Sequence, residues 1–515
     1  SSDSKNDQLN FQLLCDRLNF ADSVWIDNLS LNLQGKNDTI DFETHWKNST
    51  QQNYTGDVSG IVALSEKSKT KINFSPSTIT IADSTWRLQN NNEIIIDSTG
   101  IDIKNIDFVS TNQQIKIFGK AADDKESKLN LVLSSFSLNN FNSALKGTGV
   151  AMFGTVSGST TVSSVYKSPL LLSELIFKDL RINKELIGSG NVSSNYDSYN
   201  EVLNFNGNFI RDDNGNIKFN GNYSPFKHEN SLQASLLVNS INLAFFEPFV
   251  KNFVENLKGT AGANLKVTGT PDKPIVTGII RTDVENVHVN YLGTDYHFNA
   301  MVNIEPNAFD FANLTIYDVN KNTAEVMNGK IFHSNYKNFQ MDIDIQATKC
   351  MMLNTTEKDN SLFYGKCYGS GIINIFGFLD HINLSASLKT ERIRNSLGKN
   401  EYSQLFIPLS ETGTASENGF VTFVNKSAVS TTIKPSKYNI NTTGFTMDLK
   451  IEPTVDAQMQ LIFDEKVGDI LKGTGTGNIE MTINEFGDFK MYGDYMIEEG
   501  DYLFTLKNIV NKKFR

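Results

Sequence analysis

Leu145-Lys146-Gly147-Thr148-Gly149, Leu257-Lys258-Gly259-Thr260-Ala261-Gly262 and Leu471-Lys472-Gly473-Thr474-Gly475 are near copies of one phrase in a chain of 515 residues. A degenerate fourth copy, Phe363-Tyr364-Gly365 running on to Gly369 and Gly371, falls between the last two. Gly147, Gly259, Gly365 and Gly473 follow one another at intervals of 112, 106 and 108 residues. A near-constant period signals one supersecondary unit stacked on copies of itself, growing lengthwise. A weaker phrase, Tyr54-Thr55-Gly56-Asp57-Val58-Ser59-Gly60, sits 91 residues before Gly147 and off the period. The expectation is one continuous elongated region over 1–515, with units opening near 54, 145, 257, 363 and 471.

Between the glycine phrases the residues alternate. Lys128-Leu129-Asn130-Leu131-Val132-Leu133, Ile101-Asp102-Ile103-Lys104, Met341-Asp342-Ile343-Asp344-Ile345 and Ile373-Asn374-Ile375 put apolar side chains on one face and mostly polar ones on the other. That period of two marks sheet strands wet on one side only. Asp213-Asn214-Gly215-Asn216 and Glu499-Gly500-Asp501 read as hairpin turns, so the strands predict an antiparallel meander.

Helical interruptions are few and precede the glycines. Leu243 to Leu257 carries Phe245, Phe246, Phe249, Val250, Phe253 and Val254 on one stripe, with Pro248 near its start and Gly259 past its end. Shorter helices are expected at 139–146, 355–364 and 464–472. Just upstream, Ser137-Leu138-Asn139, Asn242-Leu243 and Met352-Leu353-Asn354 extend the repeat backwards. The Phe stripe reads as a plug packed on the sheet. The rival, a helix lying on a membrane surface, has only the mixed polar face of Lys251, Glu255 and Lys258.

Composition is that of a folded protein: 39% hydrophobic, 20% charged, mean hydropathy −0.30. A net charge of −11 without a Lys/Arg stripe argues against nucleic acid as a partner. No apolar run approaches the roughly 20 residues that span a bilayer. The chain opens Ser1-Ser2-Asp3-Ser4 and reads as a piece of something larger. Cys15, Cys350 and Cys367 are too few for a disulfide framework. Cys350 and Cys367 read as two buried free thiols, or as a pair meeting across neighbouring strands.

Chemistry-bearing patterns fail one by one. His45, His228, His288, His297, His333 and His381 never take metal-ligand spacing, and His288 with His297 reads as an exposed strand pair. Arg211 to Asn216 resembles a calcium loop but has Ile217 where the bend needs glycine. Glu498 and Glu499 are strand neighbours that point to opposite faces. Gly473 to Gly477 leads into a strand, the reverse of a phosphate loop. No metal, cofactor or catalytic residue is expected, and the chain reads as no enzyme.

By parity alone one face is lined by Ile101, Ile103, Leu129, Leu131, Leu133, Met341, Ile343, Ile345, Ile373, Ile375, Leu384, Ala386 and Leu388. Such a face closes into the sealed core of a sandwich, or curls into a trough that an apolar guest fills. A lipid tail is a natural guest, since moving about sixteen carbons through water costs roughly 12 kcal/mol at ~0.8 kcal/mol per CH₂.

The run Gly487-Asp488-Phe489-Lys490-Met491-Tyr492-Gly493 through Glu499-Gly500-Asp501-Tyr502-Leu503-Phe504-Thr505-Leu506 to Asn511-Lys512-Lys513-Phe514 resembles the C-terminal region of TamB proteins of the Bacteroidota type. Leu257-Lys258-Gly259 with Gly269-Thr270-Pro271-Asp272-Lys273-Pro274 and Gly278 is similar to AsmA-like repeats of that family. The family's C-terminal segment begins about 471 and stops short at 515. The resemblance implies an all-β, antiparallel repeat sheet curled into a "β-taco" around an apolar groove. It implies a periplasmic bridge, anchored in the inner membrane through parts outside this chain, that carries phospholipid towards the outer membrane. A TamA-like outer-membrane barrel is the implied partner. The alternatives are help in barrel-protein assembly through an edge strand near Tyr502, Phe504 and Leu506, or a β-repeat scaffold or adhesin that transports nothing.

Overall fold

Strict alternation in the sequence becomes strict alternation in burial. Along Leu232–Asn242, Leu232, Ala234, Leu236 and Val238 are half-buried while Gln233, Ser235, Leu237 and Asn239 are exposed, and Thr39–Lys47 repeats the pattern over nine residues. Successive side chains of a strand point to opposite faces, so each strand places one row inward and one in water. The structure, a computed structural model, describes residues 8–514 except 22–23, 49–53, 66–68, 82–83, 143–144, 146–149, 184, 212–214, 252, 395–397, 409–444, 465–468, 487 and 507–509.

The chain is all-β and falls into two compact units, Ser1–Ile241 with Ala263–Ile275, and Asn242–Gly262 with Val276–Arg515. In the first unit, strands follow the chain antiparallel, from Gln8–Ala21 against Val24–Lys36 to Asn216–Tyr223 against Leu232–Asn242. The second unit follows the same rule from Thr294–Glu305 to His381–Glu391. There it departs twice: His381–Glu391 pairs parallel with Phe445–Glu452, and Ser403–Pro408 parallel with Ala457–Asp464. Asp469–Ile483 then pairs antiparallel with both Phe445–Glu452 and Ala457–Asp464.

Both sheets curl over their apolar face. In the first unit Trp86 and Phe136 stack at 5.7 Å although three strand-to-strand steps separate them, about 14 Å of flat sheet. In the second, the ring of Tyr291, just before Thr294–Glu305, lies 5.9 Å from that of Phe445, six steps away. Flat, those steps would cover about 29 Å.

A recurring bulge supplies part of the bend. Ser135, Asp179 and Lys349 adopt left-handed backbone, and each sits where strand register slips. Their N–H groups donate to Ser157 Oγ, Ser189 Oγ and Ser370 Oγ on the next strand, at 2.8, 3.0 and 2.9 Å. In all three a glycine follows the serine. A bulge of this kind adds a residue to one strand and sharpens the local twist. At Gly371 (φ +149°) a Cβ would lie 2.0 Å from the Ser387 carbonyl oxygen, so no side chain fits.

The glycine phrase works the same way, and the expected helices before it are replaced by 3₁₀ turns, a single helical turn, loop and strand. Gly259 (φ +124°) lies within Val254–Thr270, where a Cβ would meet the Asp283 carbonyl oxygen at 2.0 Å. Instead of a helix from Leu243 to Leu257 there is a 3₁₀ turn at Leu243–Phe246, one helical turn at Glu247–Val250, and then the strand. An isolated helix this short is marginal, whereas each strand residue gains a ladder hydrogen bond. Residues 355–364 form no helix, and 464–472 is strand on either side of 465–468. Leu138–Phe141 is a second 3₁₀ turn, and Gly147 to Gly149 lie outside the described residues. The upstream signature is real: Ser137 and Asn242 cap the two 3₁₀ turns, and Leu138, Leu243 and Leu353 are all buried. Glu499-Gly500-Asp501 is not a turn but the interior of Phe489–Leu506, where Gly500 faces Gly473. The Arg211 N–H donates to the Gly215 carbonyl before Asn216–Tyr223, while Asp213 and Asn214 of the expected turn lie outside the described residues.

Ser157→Ala removes one acceptor and is expected to lower unfolding stability by about 1 kcal/mol, while Gly371→Val loses at least about 3 kcal/mol. Urea titration measures both; a wild-type midpoint for Gly371→Val would remove close backbone approach as the reason for that glycine.

Candidate functional site: the apolar sheet faces

Register, more than proximity in sequence, decides which side chains share a surface. In the first unit Ile103, Gly119, Leu129, Val162, Leu171 and Tyr196 stand abreast on consecutive strands, continued by Leu203, Tyr223 and Leu232. A parallel row runs Phe108, Ile115, Leu133, Gly158, Leu175 and Val192, then Gly207, Phe219 and Leu236. Between them Leu131 stands beside Ile117, and the row turns polar at Thr160 and Ser173, whose hydroxyls bond each other at 2.9 Å. Ile101 joins the face beside Ile96 and Ala121. The five lining residues expected here, Ile101, Ile103, Leu129, Leu131 and Leu133, are therefore on one continuous face, each half-buried.

Glycines make room for rings on this face. Phe177 and Phe209 meet at 5.6 Å over Gly190, and Phe209 and Phe219 stack at 6.4 Å. The face is most open along Gln8–Ala21, which has a strand neighbour on one side only among the described residues. There Leu9 and Phe11 are 57% and 49% exposed, in line with Leu33 and Phe42.

The second unit carries the other eight expected residues in four adjoining rows. Ile345, Ile373 and Ala386 lie abreast with Leu449 and Met481; Ile343, Ile375 and Leu384 with Met447 and Ile483; Met341 with Ile331 and Gly377. Leu388 follows one row further, opposite Gly371 and Ile451. Met341, Ile343, Ile345, Ile373, Ile375, Leu384 and Leu388 are half-buried and Ala386 is buried.

Parity did not reveal how this face is filled. Met447, Met459 and Met481 form a packed cluster with Leu353, Phe363, Leu405 and Ile407, against which Leu384 and Met491 also lie. Met481 is 1% exposed and Ile407 0%. The Tyr291 hydroxyl donates to Met447 Sδ at 3.8 Å, bridging the cluster from the far side of the curl. Here the interior is a closed core, whereas along Ile343 and Ile373 it is only half-covered. The signal available beforehand was the methionine parity of 447, 459 and 481 on alternating strands.

Burial sets the protonation of groups near this core. It pushes the Cys350 and Cys367 thiols up to about 12 and the Tyr291 hydroxyl up to about 12. Cys350 stands opposite Gly369 and Cys367 opposite Leu353, so the two thiols are separate and both are free. His288 is paired with Asp295 at 3.2 Å and His297 stacks on Tyr317, so they do not face each other. The expected edge strand Tyr502 to Leu506 is paired along its length with Val510–Phe514. The neighbouring stretch Phe489 to Gly500 has Asp469–Ile483 on one side and no strand on the other among the described residues.

In each unit a mostly antiparallel sheet curls over an apolar face. The comparisons give the family. The model of the TamB N-terminal domain matches residues 5–282, and that of the TamB C-terminal domain matches residues 312–515. The chain belongs to the TamB family, periplasmic proteins associated with the bacterial envelope. Neither a curated protein nor a solved structure matches it. Among the described residues no helix is long and apolar enough to cross a membrane.

The buried acids give a pH signature. Folded Cys350 and Cys367 hold their protons to about pH 12, whereas the unfolded thiols release theirs near 9. Unfolding is therefore favoured as pH climbs above about 9, by up to about 1.4 kcal/mol per pH unit for each thiol. Urea midpoints at pH 8 and 10 measure the loss, which Cys350→Ala with Cys367→Ala should reduce; equal slopes in wild type and variant would refute the assignment.

Proposed function

We propose that the apolar faces carry phospholipid acyl chains through the periplasm between the inner and outer membranes, without catalysis. The observation that supports this most directly is the half-burial of the lining. Leu129, Leu131, Leu133, Ile343 and Ile373 are too apolar for open water, yet the described residues leave each of them only half-covered. A tail laid along such rows replaces lost hydration at about 25 cal/mol per Å² of apolar area covered. In the second unit the tail must displace packed side chains. Methionine is the residue best suited to yield, having an unbranched, flexible and polarisable side chain. Anchoring in the inner membrane, and a TamA-like barrel as outer-membrane partner, complete the proposal on the ground of family membership.

A second reading rests on the edge of Phe489–Leu506. The backbone groups of residues 489–500 on the side away from Asp469–Ile483 offer a template for an added strand, as in barrel-protein assembly.

Photo-crosslinking distinguishes the readings. A benzophenone side chain at Leu131, Leu133 or Ile375 is expected to capture phospholipid in cells, while one at Asn130, Val132 or Phe376, on the opposite face, is not. Lipid adducts without that parity would sink the carrier reading. Capture of unfolded barrel strands at Tyr492 or Met496, with no lipid anywhere, would replace it with assembly.

A further inference from the structure

The face turned away from the lipid side is not an ordinary charged surface in the first unit. On strands Glu185–Asp197, Val202–Ile210, Asn216–Tyr223 and Leu232–Asn242 the outward positions form three straight rows. One row reads Asn195, Asn204, Asn222 and Gln233; the next Ser193, Asn206, Asn220 and Ser235; the third Asn191, Asn208, Lys218 and Leu237. Among these twelve positions only Lys218 is charged, in a chain whose net charge is −11. Register puts neighbours ~4.8 Å apart across strands and about 7 Å apart along them.

Three further facts mark the array as unfinished. Asn195, Asn204, Asn206, Asn220 and Gln233 are exposed, and their amides make no hydrogen bond to another described residue. Asn208 Oδ1 is shut off from solvent and has no hydrogen-bond partner among the described residues. On the adjoining strand Leu172 and Ile176 are 61% and 63% exposed on this same side, opposite Asn195 and Asn191, with Glu174 between them.

An amide offers two donors and one acceptor in a fixed plane. An uncharged grid of them complements a ligand that is neutral, flat and rich in both donors and acceptors. Phosphate, phospholipid headgroups and charged peptides lack that match, because no cation or anion row meets them. A grid without a pocket suits a polymer better than a small molecule. Exposed Leu172 and Ile176 suit the C–H face of a sugar ring. We propose that this outer face binds a neutral glycan chain of β-linked, N-acetylated sugars, whose hydroxyl and acetamido groups pair with the Asn and Gln amides. The strand spacing is close to the rise of such a chain per sugar, so successive rings meet successive strands. The inference is independent of lipid carriage, which uses the opposite face.

The test is titration of the whole chain with a soluble β-1,4-linked N-acetylglucosamine hexamer, followed by calorimetry or NMR shifts. Wild type is expected to bind, and Asn204→Ala with Asn206→Ala and Asn220→Ala to bind at least about tenfold more weakly. The thermal midpoint of the variant should stay that of wild type, since these side chains hold nothing else in place. Undetectable binding by wild type overturns the proposal, as does equal binding by the variant. So does wild-type self-association lost in the variant on light scattering, which would assign the grid to a second copy of the chain.

Discussion

A sheet one layer thick cannot bury both of its faces, and the rest of this protein follows from that. Each strand brings an apolar row that no opposing layer covers, so the sheet must bend over itself or take up a guest. Curling brings Trp86 onto Phe136 and Tyr291 onto Phe445 across several strands. The bend needs backbone devices, supplied by left-handed residues at Ser135, Asp179 and Lys349, each answered by a Ser-Gly pair on the next strand. Gly207 vacates space that the Phe219 ring fills, which keeps the concave side apolar there.

The two units resolve the same conflict to different degrees. In the first most of the apolar rows stay half-covered, although Trp86 and Phe209 are buried, and at Leu9 and Phe11 they lie open. In the second the curl tightens until side chains meet across it, and methionine, leucine and isoleucine fill the space. A methionine-filled interior is packed yet adaptable, since thioether chains change rotamer at little cost. The Cys350 thiol, in a neighbouring buried cluster, and the half-buried Cys367 at the edge of the methionine core stay protonated because little water reaches them.

The outer face is as specific as the inner one. Elsewhere it carries ion pairs such as Lys104 with Glu93 and Lys389 with Glu452, both at 2.9 Å. Over four strands of the first unit it carries amides instead. Exposed pairs of this kind contribute little to stability, so the composition of that face reflects solubility and recognition more than folding.

Much of this was legible beforehand. Period-two alternation at Leu129, Leu131 and Leu133 or at Ile343 and Ile345 fixed which residues share a face, because a strand has only two sides. The glycine phrases marked close backbone approach, and Leu138, Leu243 and Leu353 marked the buried start of each repeat. The helix read from the Phe stripe over Leu243 to Leu257 is realised only as a 3₁₀ turn and one helical turn, because from Val254 onward the sheet offers ladder hydrogen bonds. What the tertiary structure alone decided was depth: that Ile373 is half-covered while Met481 is sealed, and that Tyr291 reaches Met447. Parity is a property of one strand, but burial depends on how far many strands curl together, and that sum is written in no single stretch of sequence.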